Sequence, residues 1–236
     1  GATAYTRYGG FGRPEADAAG PPGKNQGLDQ IPFDGRSAYG YLKQICALGT
    51  RVSGSRGMEQ QRGMLIKHLE SLGGTVLEQR FRAPHPVDHS PVAMVNLIAQ
   101  WHPDRQERIL LCTHFDTRPY PDRDRRDPQG IFLGANDGGS GTAILMELAK
   151  AMPELRGKLG VDFAFFDGEE LVFDDNDPYC LGSEYFARMY VAERPGHRYR
   201  GAVLLDMVGD KQLNIYQEVA SARWTDSPRI ASREPR

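Results

Sequence analysis

The amino-acid sequence predicts a three-layer α/β/α fold in which a mostly parallel, mixed central sheet lies between layers of helices. Segments with strand character alternate with segments of helical periodicity, which favours parallel strands joined by helical crossovers. Two strand segments, residues 109–112 and 161–166, are apolar at nearly every position, as is typical of strands covered on both faces. A chain of 236 residues with 39% hydrophobic content can bury the core of one such domain.

The predicted elements follow one another in a regular order. Asp34 or Ser37 is expected to cap a first helix, and a second helix is expected at residues 57–72, where two glycines end it. A third helix follows a glycine-rich turn, and a fourth spans residues 180–191. The predicted strands lie at residues 75–82, 92–101, 108–113, 161–166, 202–206 (buried like the one before it) and 213–216.

The chain divides into an arm and a domain. Residues 1–32 are rich in Gly, Pro and Ala and lack hydrophobic periodicity, so we expect a flexible or wrapped N-terminal arm. Residues 33–236 are expected to form one α/β domain. Within that domain, residues 221–236 show little periodicity, which predicts a loop or a frayed tail.

The composition excludes several classes of partner. The 29 Lys and Arg residues nearly balance the 31 Asp and Glu residues. The sequence has no basic stripe that would indicate binding to nucleic acid. The apolar runs are too short to span a bilayer, so no membrane span is expected. Three widely spaced cysteines do not form a disulfide framework. No pattern in the sequence defines the oligomeric state.

Acidic residues and one histidine cluster where the predicted core strands end. The cluster comprises His114 and Asp116, Asp137, the group Asp167, Glu169 and Glu170, and Asp206. In an open α/β sheet the binding crevice lies beyond the carboxyl ends of the strands, so we expect these side chains to converge. Carboxylates packed this closely stay ionised only beside a positive charge, which a metal ion supplies most economically. The sequence therefore predicts a metal-dependent active site.

His114 and Asp137 each allow two interpretations. One residue separates His114 from Asp116, so both point to the same side of an extended chain, and Asp116 either orients the imidazole or contacts a metal-bound group. Asp137 lies in a glycine-rich turn that opens a helix. The turn is not a phosphate loop, because no Gly-Lys-Ser/Thr follows it. Asp137 is therefore either a metal ligand or the N-cap of the helix.

The adjacent Glu169 and Glu170 can flank one metal ion at the end of a strand, where the chain turns. One of them would bind the ion, and the other would carry a proton for general acid–base catalysis. A salt-bridged pair in a loop is the alternative, which the nearby Asp167 makes less favourable. Asp206 would be a buried carboxylate without a partner unless it joins this site.

Five motifs occur in a fixed order and carry a family resemblance. They are Thr113-His114-Phe115-Asp116-Thr117-Arg118-Pro119, Gly134-Ala135-Asn136-Asp137-Gly138-Gly139-Ser140-Gly141, Phe165-Phe166-Asp167-Gly168-Glu169-Glu170, Cys180-Leu181-Gly182-Ser183 and Leu204-Leu205-Asp206-Met207-Val208-Gly209. With these motifs the chain resembles the M28 zinc-peptidase family, and within it the glutaminyl cyclase (glutaminyl-peptide cyclotransferase) branch. The resemblance extends over about residues 33–209 and implies a zinc-exopeptidase-like fold.

The resemblance implies a role for each residue of the cluster. Asp137 and Glu170 would bind one zinc ion, and Glu169 would be the proton shuttle. His114 would bind a second zinc ion in an aminopeptidase, and it is usually without metal in cyclases. Asp206 would join the acid–base network of a cyclase or bind the second zinc ion of an aminopeptidase.

The implied reaction is zinc-dependent cyclisation of the N-terminal glutamine of a peptide to pyroglutamate, an acyl transfer that releases ammonia. Residues 171–180 favour this reaction, because in aminopeptidases of the family the Glu-Glu pair runs almost directly into Leu-Gly-Ser. Asp116 and Asp167 would support the metal ligands without binding the ion themselves. A peptide with N-terminal Gln is the implied partner. Export to the periplasm or the extracellular space is the implied localisation, although the chain shows no signal peptide.

The resemblance also implies a missing element. The family takes its last zinc ligand, a histidine, from a segment well after the strand that leads to Asp206, and no histidine follows His197. We therefore expect a domain truncated at its C-terminus, whose zinc site is weak or empty without that ligand. Three hypotheses are compatible with these features: a cyclase, an aminopeptidase with two zinc ions, and a catalytically inactive remnant.

Overall fold

The computed structural model describes residues 33–213. The predicted arm at residues 1–32, the predicted tail at 221–236 and most of the predicted strand at 213–216 lie outside the described residues. None of the helices within residues 33–213 is long and apolar enough to cross a membrane. The helices are α1 (Gly35–Ala47), α2 (Arg56–Ser71), α3 (Gly139–Ala149) and α4 (Leu181–Glu193), and the strands are β1 (Thr75–Pro84), β2 (Pro91–Trp101), β3 (Glu107–His114), β4 (Gly160–Phe166) and β5 (Arg198–Leu204).

The five strands form one mixed sheet with the order β1-β2-β4-β3-β5. β2 pairs antiparallel with β1 and β4, whereas β3 pairs parallel with β4 and β5. This arrangement confirms the predicted α/β class with a mixed central sheet. Because β3, β4 and β5 run in the same direction, their carboxyl ends lie at the same edge of the sheet.

Alternating side chains of the central strands enter two separate cores. In β2, Leu97 and Ala99 belong to the larger core, whereas Ile98 between them belongs to the smaller one. The larger core also takes side chains from α1, α2 and α3, and Phe186 of α4 packs against the smaller core. The central strands are therefore covered by helices on both faces, which explains their apolar sequences.

Side-chain caps set the starts of the first two helices. Asp34 caps α1, since its Oδ1 accepts hydrogen bonds from the N–H groups of Arg36 and Ser37 at 2.8 and 3.2 Å. Ser55 caps α2 by accepting a hydrogen bond from the N–H of Met58 at 3.2 Å. Each cap satisfies backbone donors that have no partner inside the helix.

The last described strand, β5, departs from the predicted buried strand at residues 202–206. It spans Arg198–Leu204 and is exposed along most of its length, with Val203 at 49% and Leu204 at 58%. Among the described strands β5 pairs only with β3 and forms an edge, and the apolar composition of the segment does not reveal this position. Asp206 follows with 38% of its side chain exposed, so the expectation of a buried Asp206 is also wrong.

Candidate metal and catalytic centre

The carboxyl edge of the sheet brings several predicted site residues together. Within residues 33–213, His114, Glu169 and Asp206 each offer one ligand atom, and these atoms lie within 4.8 Å of one another. His114 is the last residue of β3, Glu169 lies in the loop after β4, and Asp206 lies just after β5. The parallel pairing of these three strands is what assembles the group.

His114 lies at the centre of the group and is almost fully buried. Its Nε2 atom lies 3.0 Å from Asp137 Oδ1 and 3.4 Å from Asp206 Oδ1, yet it makes no well-aligned hydrogen bond within the described residues. Burial by itself would lower the pKa of His114, but the carboxylates of Asp116, Asp137 and Asp206 outweigh burial and raise the pKa. The imidazole therefore lies in strongly negative surroundings, which would also attract a divalent cation.

Asp116 connects the imidazole to both glutamates from a fully buried position. Its Oδ1 lies 3.4 Å from His114 Nδ1 and accepts a hydrogen bond from the N–H of Glu169 at 3.2 Å. Its Oδ2 accepts a hydrogen bond from the N–H of Glu170 at 2.8 Å. One carboxylate thus joins the end of β3 to the loop after β4.

Asp137 reaches the group through the glycine-rich turn before α3. Gly138 is the N-cap of α3, and no side chain caps this helix, so the interpretation of Asp137 as the N-cap is wrong. Gly138 has a φ angle of 74°, and a Cβ atom there would lie 2.6 Å from the carbonyl oxygen of Asp116. This close approach requires glycine, and it places Asp137 against His114.

Glu169 and Glu170 have different surroundings although they are adjacent. Burial raises the pKa of Glu169 to about 7; His114 opposes this rise, and the neighbouring carboxylates add to it. The carboxylate of Glu170 accepts a hydrogen bond through Oε2 from Arg118 Nε. Burial also raises the pKa of Glu170, against the lowering effect of Arg118. Within the described residues, Glu170 is the member of the pair that forms a salt bridge.

Asp167 is buried behind the site, and both of its carboxylate oxygens accept hydrogen bonds. The hydroxyl of Ser53 donates to Oδ1 at 2.7 Å, and the N–H of Val95 donates to Oδ2 at 2.9 Å. Burial raises the pKa of Asp167, and the charge of Asp116 adds to the rise. These bonds join the segment before α2, strand β2 and the loop after β4.

A cavity of about 830 Å³ opens beside these residues. Asp137 and Glu170 both lie in its wall. The apolar part of the wall includes Ile131, Leu133 and Met207, and the polar part includes Arg118, Asp122 and Tyr179. The cavity therefore combines an apolar surface with the two residues predicted to bind zinc.

Two buried arginines that support this cavity are missing from the residues predicted from sequence. Arg51 is fully buried and donates hydrogen bonds to the carbonyl oxygens of Leu133 and Gly134 at 2.8 and 3.2 Å. It lies between α1 and α2, outside the five motifs that indicate the site. Arg118 lies two residues after Asp116 in the motif that contains His114, and that position is the signal that could have identified it.

The donor set of the group fits zinc. Protein zinc sites use imidazole nitrogen and carboxylate oxygen, and catalytic sites usually have three protein ligands. His114 supplies a buried nitrogen without a hydrogen bond among the described residues. Carboxylate oxygens surround this nitrogen, and those of Asp137 and Asp206 lie within 3.4 Å of it. The predicted ligand Glu170 lies in the same cavity wall as Asp137 but is bound to Arg118.

A mixed α/β sheet with flanking helices is the architecture of solved zinc-dependent exopeptidases that this chain matches. The chain belongs to peptidase family M28, whose family model matches residues 96–232. This range contains all of the site residues from His114 to Asp206. The family assignment that the five motifs predict is therefore confirmed.

The chain is similar to glutaminyl cyclases in sequence and in structure. It is 29% identical over 171 residues to the glutaminyl-peptide cyclotransferase of Drosophila melanogaster, which covers 67% of this chain and 44% of the relative. The crystal structure of Fimbriiglobus ruber glutaminyl cyclase matches with 42% identity and a TM-score of 0.71, covering 75% of this chain and 62% of that chain.

An aminopeptidase structure is also similar. The leucine aminopeptidase precursor of Bacteroides thetaiotaomicron has 32% identity and a TM-score of 0.67, with 76% of this chain and 64% of that chain covered. The chain spans about half the length of the curated relatives it matches. The fold is thus shared with solved structures of both kinds of enzyme.

Proposed function

We propose that the chain cyclises the N-terminal glutamine of peptides to pyroglutamate, with release of ammonia and with one zinc ion as cofactor. The observation that carries this proposal is the position of Glu169. Its carboxylate lies in the group with His114 and Asp206. The next residue along the chain, Glu170, lies in the cavity wall. The similarity to glutaminyl cyclases supports the same reaction.

Asp137 and Glu170 are the residues that we propose as zinc ligands. Both lie in the wall of the cavity, where a peptide has access to them. Zinc bound there would act as a Lewis acid that polarises the side-chain carboxamide of the substrate glutamine. Asp116 would keep Glu170 in place, because it binds the N–H of Glu170 at 2.8 Å.

Glu169 is the residue that we propose as the proton carrier. Its carboxylate accepts a proton from the α-amine of the glutamine while the amine nitrogen forms a bond to the carboxamide carbon. The bond from this carbon to the amide nitrogen then breaks, and Glu169 returns the proton to the departing nitrogen, which leaves as ammonia. The lactam and ammonia together contain every atom of the substrate. Asp206 lies in the same group and would share in this acid–base network.

An aminopeptidase with two zinc ions is a second candidate because of the surroundings of His114. Its Nε2 atom lies 3.0 Å from Asp137 and 3.4 Å from Asp206, and these are suitable donors for a second ion. The similarity to a leucine aminopeptidase precursor favours this candidate as well.

Incubation of the full chain with zinc and a peptide that begins with glutamine tests the cyclase directly. We expect the peptide to lose the mass of one ammonia faster than it does without protein. The same peptide with an acetylated N-terminus is the control, because it has no free amine to attack the carboxamide. If the glutamine peptide reacts only at the background rate, the cyclase proposal is wrong.

Two further measurements separate the candidates. Release of an N-terminal leucine, together with two zinc ions per chain by elemental analysis, would identify an aminopeptidase. At most one zinc ion per chain would count against it. A chain that binds zinc and acts on neither peptide would be an inactive relative. Export of the protein stays a prediction from the resemblance.

A further inference from the structure

Arg118 connects the site to two loops that line the cavity, and it is almost fully buried. Its Nε atom donates a hydrogen bond to Glu170 Oε2, and one terminal nitrogen donates to both carboxylate oxygens of Asp122 at 2.7 Å. The other terminal nitrogen donates to the hydroxyl of Tyr179, whose ring centroid lies 5.6 Å from the guanidinium carbon. All three nitrogens of one planar group are therefore in use.

Arg118 also completes the restraint of Glu170. The N–H of Glu170 donates to Asp116 Oδ2 at 2.8 Å, while Oε2 of its carboxylate accepts from Arg118. Among the described residues no hydrogen bond reaches the second oxygen, Oε1, although the residue lies in the cavity wall. Glu170 is thus held at its backbone and at one oxygen, and the other oxygen stays available.

We propose that Arg118 is a positioning residue for the metal site: it fixes the carboxylate of Glu170 so that Oε1 can bind the ion. The same guanidinium keeps the segments that carry Asp122 and Tyr179 against the cavity. This inference rests on the proposed role of Glu170 as a zinc ligand. Because Arg118 acts through Glu170, its loss should lower the affinity for the metal ion, and it should affect the reaction only through the metal.

The chemistry of arginine explains why this residue type is needed here. A guanidinium is planar and presents several N–H donors in fixed directions, whereas a lysine ammonium is a point charge on a flexible chain. A lysine at position 118 would keep the positive charge, but it could not bridge three partners with the same geometry. Arg118→Lys should therefore retain only part of the function.

Electrostatics and positioning predict opposite results when Arg118 is removed. A positive charge beside a metal site repels the ion, so its loss by itself would strengthen metal binding. Positioning predicts weaker binding, because an unrestrained Glu170 side chain must be ordered when the ion binds. Residues that orient metal ligands typically contribute about 10- to 100-fold to metal affinity.

The zinc affinity of the full chain, measured by competition with a chromophoric chelator, distinguishes these effects. We expect Arg118→Ala to weaken the affinity about 10- to 100-fold and Arg118→Lys to weaken it less. Arg188→Ala is the matched control, because it removes an exposed arginine whose Nε lies 3.8 Å from Glu184 on α4. Its affinity should equal that of the unaltered chain.

Each outcome of this experiment is decisive. Equal or tighter zinc binding by folded Arg118→Ala protein overturns the inference and leaves the proposed function in place. If the role of Arg118 is purely structural, Arg118→Ala will have a lower melting temperature, as monitored by circular dichroism, but the folded variant will bind zinc with unchanged affinity. If Arg118→Ala does not fold, unchanged affinity of Arg118→Lys overturns the inference instead. If the unaltered chain binds no zinc, the proposed function fails, and the inference fails with it.

Discussion

The two ends of the parallel strands bury charge in opposite ways. At the amino end, Arg108 and Asp162 form an ion pair in which both side chains are fully buried. Arg108 donates further hydrogen bonds to backbone carbonyl groups. The second carboxylate oxygen of Asp162 accepts hydrogen bonds from Tyr199 at 2.6 Å and from Gln100 at 3.3 Å. Every charge in this network has a partner of opposite sign or a hydrogen bond.

At the carboxyl end, the charges of the described residues do not balance. His114 and Arg118 are the positive or protonatable partners of the carboxylates of Asp116, Asp137, Glu169, Glu170 and Asp206. The Nε2 atom of His114 also lacks a hydrogen bond among the described residues. A closed network of buried charge is typical of a structural role, whereas an excess of one sign at a cavity favours a ligand of opposite sign. The buried network at the amino end is thus structural, and the excess of carboxylates at the carboxyl end supports the proposed metal site.

The largest effect is expected from Glu169→Gln at the carboxyl end. The amide keeps the shape of the side chain but cannot carry a proton, so turnover of a glutamine peptide should fall about 10²- to 10⁴-fold. The melting temperature should not fall, since burial and nearby carboxylates disfavour the negative charge of Glu169 in the folded state. Ammonia release and thermal unfolding measure the two effects. Full turnover in the variant would remove Glu169 from proton transfer.

Asp162→Asn tests the amino end. It leaves the buried charge of Arg108 without its carboxylate, so the free energy of unfolding should fall by about 3–5 kcal/mol, while zinc affinity stays unchanged. Urea denaturation measures the loss. The control is Glu107→Gln, because Glu107 is 42% exposed and pairs with Arg198 and Arg200; it should cost less than about 1 kcal/mol. Equal losses for both variants would contradict a structural role for the buried pair.

Zinc itself should stabilise the chain through the carboxyl end. A ligand that binds only the folded state, at 100 times its Kd, adds about 2.7 kcal/mol to the free energy of unfolding. Thermal unfolding with and without zinc measures this effect. Asp137→Asn should reduce the shift because it removes a charged ligand, whereas Asp104→Asn, in an exposed turn between β2 and β3, should keep it. An identical shift in both variants would place the ion elsewhere.

The smallest effect is expected behind the site, from Ser53→Ala. The variant removes the buried hydroxyl that donates to Asp167 at 2.7 Å, and the free energy of unfolding should fall by about 1 kcal/mol. Ser71→Ala is the control, because its hydroxyl donates to a carbonyl group at an exposed position, and it should cost less. Weaker zinc binding by Ser53→Ala would mean that Asp167 acts on the metal site.

Local sequence patterns predict the four helices, the first four strands and the edge at which the acidic residues meet. The apolar run at residues 161–166 predicts β4 because a strand covered on both faces needs apolar side chains on both. Its carboxyl end then determines where the Glu169–Glu170 pair lies. The resemblance to a known family adds roles to these residues, which the geometry by itself leaves open.

Local sequence patterns do not reveal features that depend on residues far apart in the chain. Arg118 binds Glu170 and Tyr179, which lie 52 and 61 positions further along the chain, so its neighbours follow only from the folded structure. The exposure of β5 depends in the same way on its pairing with a single described strand. The N-cap interpretation of Asp137 fails because the N-cap position is Gly138, one residue later, which has a φ angle of 74°.

The most direct test of a metal centre at the carboxyl edge is an anomalous difference map. Crystals of the chain grown with zinc would be measured above and below the zinc absorption edge. We predict a peak about 2.0–2.2 Å from carboxylate oxygens of Asp137 and Glu170. A map without a peak at these residues, or with zinc bound only by other residues, would contradict the assignment of this edge as a zinc site.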